Sequence, residues 1–162
     1  MREELISFLY SLGLSHFSPQ EFLINTERPG NALPPTDTWG NIALTAAVLD
    51  HVRGYFQKAT VITSCYRSPD YNSRVGGQPR SQHLAFTAVD FSVAETSSRE
   101  VARYCRSLRG KTFGVSSTLP RVHIGEVPFK EIEDNRMTGG VGSYSRFVHI
   151  DTRGINASWR GK

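Results

Sequence analysis

No stretch of the 162-residue chain approaches the roughly 18 apolar residues in a row that a membrane span requires, so no membrane insertion is expected. Cysteine is almost missing. Cys65 and Cys105 stand far apart and in no CxxC spacing, which excludes a thiolate zinc knuckle and a disulfide scaffold. They read as buried free thiols, with a single bridge open to them only in an oxidising compartment. No internal repeat, low-complexity tract or GxSxG elbow occurs, so solenoid architectures and an α/β-hydrolase nucleophile are set aside. The N-terminus, MREELISFLYSLGLSHF, mixes acids into a short broken apolar pattern without a small-residue cleavage site, and no secretory signal is expected. Nor are the basic residues gathered into a run. The net charge of +4 and pI near 9.3 suit an anionic partner, but the scatter of the cations weighs against nucleic acid, and an acidic cell-wall polymer fits equally well.

What is present suffices for one core: 38% hydrophobic residues in a chain of this length predict a single domain over 1–162, with 1–37 as a helical and irregular N-terminal segment. Leu5, Ile6, Phe8, Leu9 and Leu12 have helical spacing that Gly13 ends. Ser18 and Pro19 predict a second short helical start, and the three prolines of 25–37 an irregular crossing. Asp37 or Thr38 then caps a long amphipathic helix to about Gln57, burying Ile42, Ala46, Leu49, Val52 and Phe56. ATVITS (59–64) reads as a strand, and the Pro, Gly, Asn and Ser of 65–80 as a loop. In the next strand Val89, Phe91 and Val93 alternate with Asp90, which puts Asp90 on the face opposite the apolar row. SSRE (97–100) opens a helix that buries Val101, Tyr104, Cys105 and Leu108 and stops at Gly110. Residues 112–116 and 121–124 read as two short strands, 129–142 as the most mobile part, and the final strand puts Phe147, His149 and Asp151 on one face.

Within SQHLAFTAVDFSV (81–93), His83 and Asp90 stand seven apart, and His149 sits in a similar setting near the C-terminus. Two imidazoles and a carboxylate with one open position form a donor set suited to catalytic zinc. Here the chain resembles a family. ITSCYRSPDYN (62–72), RVGGQPRSQHLAFTAVDF (74–91) and FVHIDT (147–152) follow in order the pattern of the zinc D-alanyl-D-alanine carboxypeptidases and related murein peptidases. That family shares its fold with lysostaphin-type endopeptidases and the Hedgehog domain. HFSPQEFL (16–23) is similar to the N-terminal part of a subgroup with phage and bacterial wall-lytic members.

The resemblance implies an α+β fold with helices on one face of a small antiparallel sheet and a zinc cleft on the other. It implies His83, Asp90 and His149 as zinc ligands, Arg67 as the anchor of substrate or oxyanion, and Ser81 as a supporting, substrate-side hydrogen-bonding group. Where relatives carry a Glu three before the last His, or a His two before it, this chain has Arg146 and Phe147. Asp151 is therefore the first candidate to accept a proton or to orient a ligand, His123 the second, and Glu126 a distant third; His16 and His51 receive no role. Phe86 and Cys65 replace usual glycines, and Phe86 puts a ring where close backbone approach is expected. The implied activity is hydrolysis of D-amino-acid-containing stem or cross-bridge peptides of peptidoglycan by a monomer made in the cytoplasm. Export, or release as a phage endolysin or virion-borne enzyme, would bring it to the wall. The alternative is a zinc-containing wall-binding domain that does not cleave.

Overall fold

Alternating apolar residues and a few close glycine approaches build the sheet that carries the site. The computed structural model describes residues 1–162. Five strands, β1 (Thr60–Ser64), β2 (Ala88–Val93), β3 (Gly140–Ser143), β4 (Val148–Asp151) and β5 (Ala157–Arg160), form one sheet in the order β1-β2-β4-β3-β5. The helices are α1 (Arg2–Ser11), α2 (Ala43–Phe56), α3 (Pro69–Arg74) and α4 (Ser98–Ser107). The α+β architecture is the expected one, with one addition: β5 joins β3 in parallel, whereas all other pairs are antiparallel.

Period two sorts the central strands. Val89, Phe91, Val148 and Ile150 are buried in a cluster of 29 residues with the stripes of α2 and α4, so Asp90 and His149 point from the opposite face. The register then sets a row across all five strands: Ser64 pairs with Asp90, Asp90 with His149, His149 with Gly142, and Gly142 with Trp159. Gly142 is needed in that row because a Cβ there would run into the Trp159 indole.

Four expectations are corrected. The long helix begins as a 3-10 stretch, Thr36–Ile42, before α2. Its side chains are committed elsewhere: Trp39 Nε1 donates to the Pro34 carbonyl, and Asn41 joins the Ala85 and Val122 backbones. The 65–80 loop contains α3, started by Ser68 Oγ accepting from Tyr71 N and by Pro69 in its first turn. Residues 112–116 and 121–124 form no strands; Thr112 makes an isolated bridge to Arg136, and Val122 N bonds a side chain, Asn41 Oδ1, instead of a neighbouring strand. The glycines of 139–142 lead into an interior strand rather than a mobile loop, because Gly139 and Gly140 lie against the Asp151 backbone and carboxylate. No helix is long and apolar enough to cross a membrane.

Candidate metal centre

His83 arrives on a 3-10 turn, Gln82–Ala85, started by Ser81 Oγ accepting from His83 N at 3.2 Å. The residue is 2% exposed, and its Nδ1 meets the Cys65 carbonyl at 2.5 Å. A carbonyl only accepts, so Nδ1 carries the proton and Nε2 presents its lone pair to the interior. Nε2 is buried without a hydrogen-bond partner. It lies 3.1 Å from Asp90 Oδ2, two acceptors facing each other, an arrangement that a bound cation would satisfy.

The positioning of Asp90 and Arg67 follows from the motif around them. Arg67 Nε donates to Ser64 Oγ at 3.0 Å and Nη2 to Asp90 Oδ2 at 3.2 Å, while Arg67 N donates to the His83 carbonyl. Asn72 accepts from Arg67 Nη1 and donates to the Gln78 carbonyl at 2.9 Å, and Gly77 lacks a Cβ where the Asn72 amide lies. The Arg67, Asn72 and Gly77 letters of the motif thus pack as one bracket.

His149 is held from both sides. Nδ1 lies 2.9 Å from Asp90 Oδ1 and Nε2 lies 2.8 Å from Asp151 Oδ2. The Asp151 carboxylate also accepts from Gly140 N and from the N, Nε and Nη2 of Arg153, which extends under the Trp159 ring. Burial opposes ionisation of Asp151, yet the hydrogen bonds from His149 and Arg153 hold its carboxyl well below the usual carboxylate range. Burial likewise opposes charge on His149, but bonds to Asp151 and Asp90 carry its pKa up to about 9. Burial dominates at His83 and keeps its pKa below the ordinary histidine value. Asp90 is pulled below its usual range by the two histidines despite its burial.

One nitrogen from each histidine and one Asp90 oxygen all lie within 4.8 Å of one another. They form the floor of a cavity of about 620 Å³. Arg67 and Ser81 line it, together with four residues the sequence did not single out: Arg80, Tyr144, Arg153 and Trp159. Arg153 had a usable signal, since two residues past Asp151 in an extended chain returns to the same face. Trp159 had none, because its place depends on the parallel pairing of β5. Asp151 is fully buried behind His149, whereas His123 and Glu126 are exposed and off the cavity wall, His123 packing on Phe129. The Phe86 ring is buried in the core against Tyr66 and does not narrow the cavity; its backbone, at φ 56°, holds the conformation a glycine would take easily. Cys65 and Cys105 are both free and buried, and burial pushes both thiols up, Cys105 to about 12.

The family model described as Peptidase M15 matches residues 15–125, more than half of the chain. The chain belongs to peptidase family M15. Peptidases of this family are metal-dependent, and the match spans His83 and Asp90 but ends before His149, so the third donor is recognised from the geometry. No curated protein and no solved structure matches the chain.

Proposed function

We propose that this M15 peptidase is a single-domain zinc enzyme that hydrolyses peptide bonds in the D-amino-acid-containing stem or cross-bridge peptides of peptidoglycan. The observation that carries the reading is the orphaned His83 Nε2, aimed with Asp90 and His149 Nδ1 at one point on the floor of an open cavity. Two imidazoles and a carboxylate suit zinc and leave a coordination position free. Zinc held there would supply Lewis acidity to a scissile carbonyl and to water.

The protein's own groups divide the remaining work. Arg67 sits beside Asp90 with its guanidinium on the cavity wall, where it can hold a substrate carboxylate or the charge that develops on the carbonyl oxygen. Arg80 adds positive charge suited to acidic stem peptides, and Tyr144, Phe147 and Trp159 form an apolar wall beside it. Ser81 fixes the turn that carries His83. Asp151, with five hydrogen bonds and no exposed surface, orients His149 and is not the proton acceptor. His123 and Glu126 take no part in this scheme.

Purified peptidoglycan incubated with the zinc-loaded protein should release new amino groups, and mass spectrometry of the muropeptides should identify the bond cut. His83→Ala should lose both zinc and this release; a variant that kept full activity would sink the proposal. One observation favours a second reading, a zinc-containing domain that binds wall peptides without cleaving them: Asp90 is the only carboxylate on the cavity wall. Zinc bound at one per chain with no cleavage of any murein fragment would establish that reading.

A further inference from the structure

The α4 face of the sheet, opposite the metal centre, holds a second recess of about 350 Å³. Ser143 alternates with Gly142, and Arg160 with Trp159, so both turn away from the metal cavity toward α4; Arg109, just past the end of α4, bonds Ser158 Oγ on the same side. The recess has no hydrophobic lining residue. Four of its seven lining residues are arginines: Arg99, Arg103 and Arg106 along one flank of α4, and Arg160 from β5. Glu100 is its only acid. Three of them fall within residues 99–106, where the helical period puts them on one flank, and the placement of β5 adds the distant Arg160.

These arginines differ from those that hold the fold together. Arg67, Arg109, Arg121 and Arg153 each donate to carbonyls, hydroxyls or carboxylates of the protein. The guanidiniums of Arg99, Arg103, Arg106 and Arg160 make no ion pair and no hydrogen bond within the protein. Four unneutralised guanidiniums around one recess repel one another, and the fold derives no internal contact from them. Each presents a fork of donors matched to the oxygens of a phosphate.

We propose that this recess binds a phosphate-bearing polymer of the cell wall. Guanidiniums arriving from two elements suit a chain of phosphodiesters that passes through the recess. Single-stranded nucleic acid is disfavoured because the lining offers no aromatic ring on which bases would stack. A lipid surface is disfavoured because no apolar side chain borders the charges. The consequence for activity rests on the peptidoglycan reading above: an enzyme held by its α4 face keeps its metal cavity, on the opposite face, free for peptide.

The test uses the full chain and fluorescently labelled inorganic polyphosphate, with an oligo(dT) of matched charge as the alternative probe. Arg103→Ser/Arg160→Ser should weaken polyphosphate binding by about tenfold or more and lower the slope of log affinity against log salt by roughly one to two. Arg28→Ser/Arg136→Ser, which removes the same charge elsewhere on the surface, should change affinity by less than about twofold. Zinc content and cleavage of a soluble muropeptide should be unaffected in both variants, while release from insoluble walls should slow only in the first. Equal polyphosphate affinity in the two variants overturns the site, and tighter wild-type binding to oligo(dT) than to polyphosphate overturns the wall polymer in favour of nucleic acid. Equal rates on walls overturn the retention role. Failure of the wild type to cleave soluble muropeptide counts against the peptidase reading and leaves the binding result standing on its own.

Discussion

The two histidines of the candidate metal centre are supported by opposite kinds of partner. His83 gives its outer nitrogen to a main-chain carbonyl, that of Cys65, and the turn around it is stabilised by local hydrogen bonds within a short stretch of chain. His149 gives its outer nitrogen to the carboxylate of Asp151, itself clamped by Arg153 and Gly140 from neighbouring segments. A backbone carbonyl cannot be removed by any side-chain substitution, whereas a carboxylate makes its imidazole more basic and can be deleted. The difference teaches that one ligand is fixed by backbone path and the other by a network of charges. Single substitutions should therefore damage the two sides unequally.

The largest effect belongs to Asp90, the one group that touches both histidines. Asp90→Ala should abolish stoichiometric zinc retention, read by metal analysis after gel filtration, because it removes a ligand and leaves Arg67 without its carboxylate. Asp151→Ala comes next and separates the two sides. It should weaken zinc affinity by about 10–100-fold, measured by competition with a chromophoric chelator. It should also cost about 3–5 kcal/mol in urea denaturation, because Arg153 and His149 lose a buried anionic partner. Undiminished affinity in this variant would mean that the carboxylate does not support His149, and the asymmetry would disappear.

Phe86→Gly acts on the His83 side and should leave zinc affinity unchanged while lowering stability. Loss of a fully buried phenyl ring costs about 3–5 kcal/mol in comparable cores, and relief of the left-handed backbone at φ 56° returns about 1 kcal/mol of it. A net loss of about 2–4 kcal/mol is expected. A fall in zinc affinity alongside it would show that the ring shapes the metal cavity after all.

The same contrast explains what the sequence made legible. His83, Asp90, Arg67 and Ser81 lie within 62–91, where each motif letter has a local job: Ser81 starts a turn, Asn72 bonds Arg67, and Gly77 makes room for Asn72. His149 was legible from its strand pattern, and so was the face that Asp151 shares with it. The surroundings of Asp151 were not, since the contacts that distinguish a proton acceptor from an orienting partner come from Arg153 and Gly140, which arrive from elsewhere. The β-branched residues of 112–124 misled because the backbone there is held by an isolated bridge and the Asn41 side chain, to which periodicity is blind. The glycines of 139–142 misled for the opposite reason. They signal close approach to Asp151 and Trp159 as readily as they signal a mobile loop, and only the pairing of β5 decides between the two.

Ser81→Ala is the mildest change and the sharpest test of the contrast. Ser81 Oγ accepts from His83 N and so helps start a four-residue turn, but the ring itself stays oriented by the Cys65 carbonyl. Losing such a cap costs about 1 kcal/mol, and zinc affinity should fall by clearly less than in Asp151→Ala. Because Ser81 also faces the cavity, peptide hydrolysis is the less discriminating readout and the metal titration is the one to compare. If Ser81→Ala weakened zinc as much as Asp151→Ala, the His83 side would prove to depend on its own side-chain support. The division between a ligand held by backbone and one held by charge would then have to be given up.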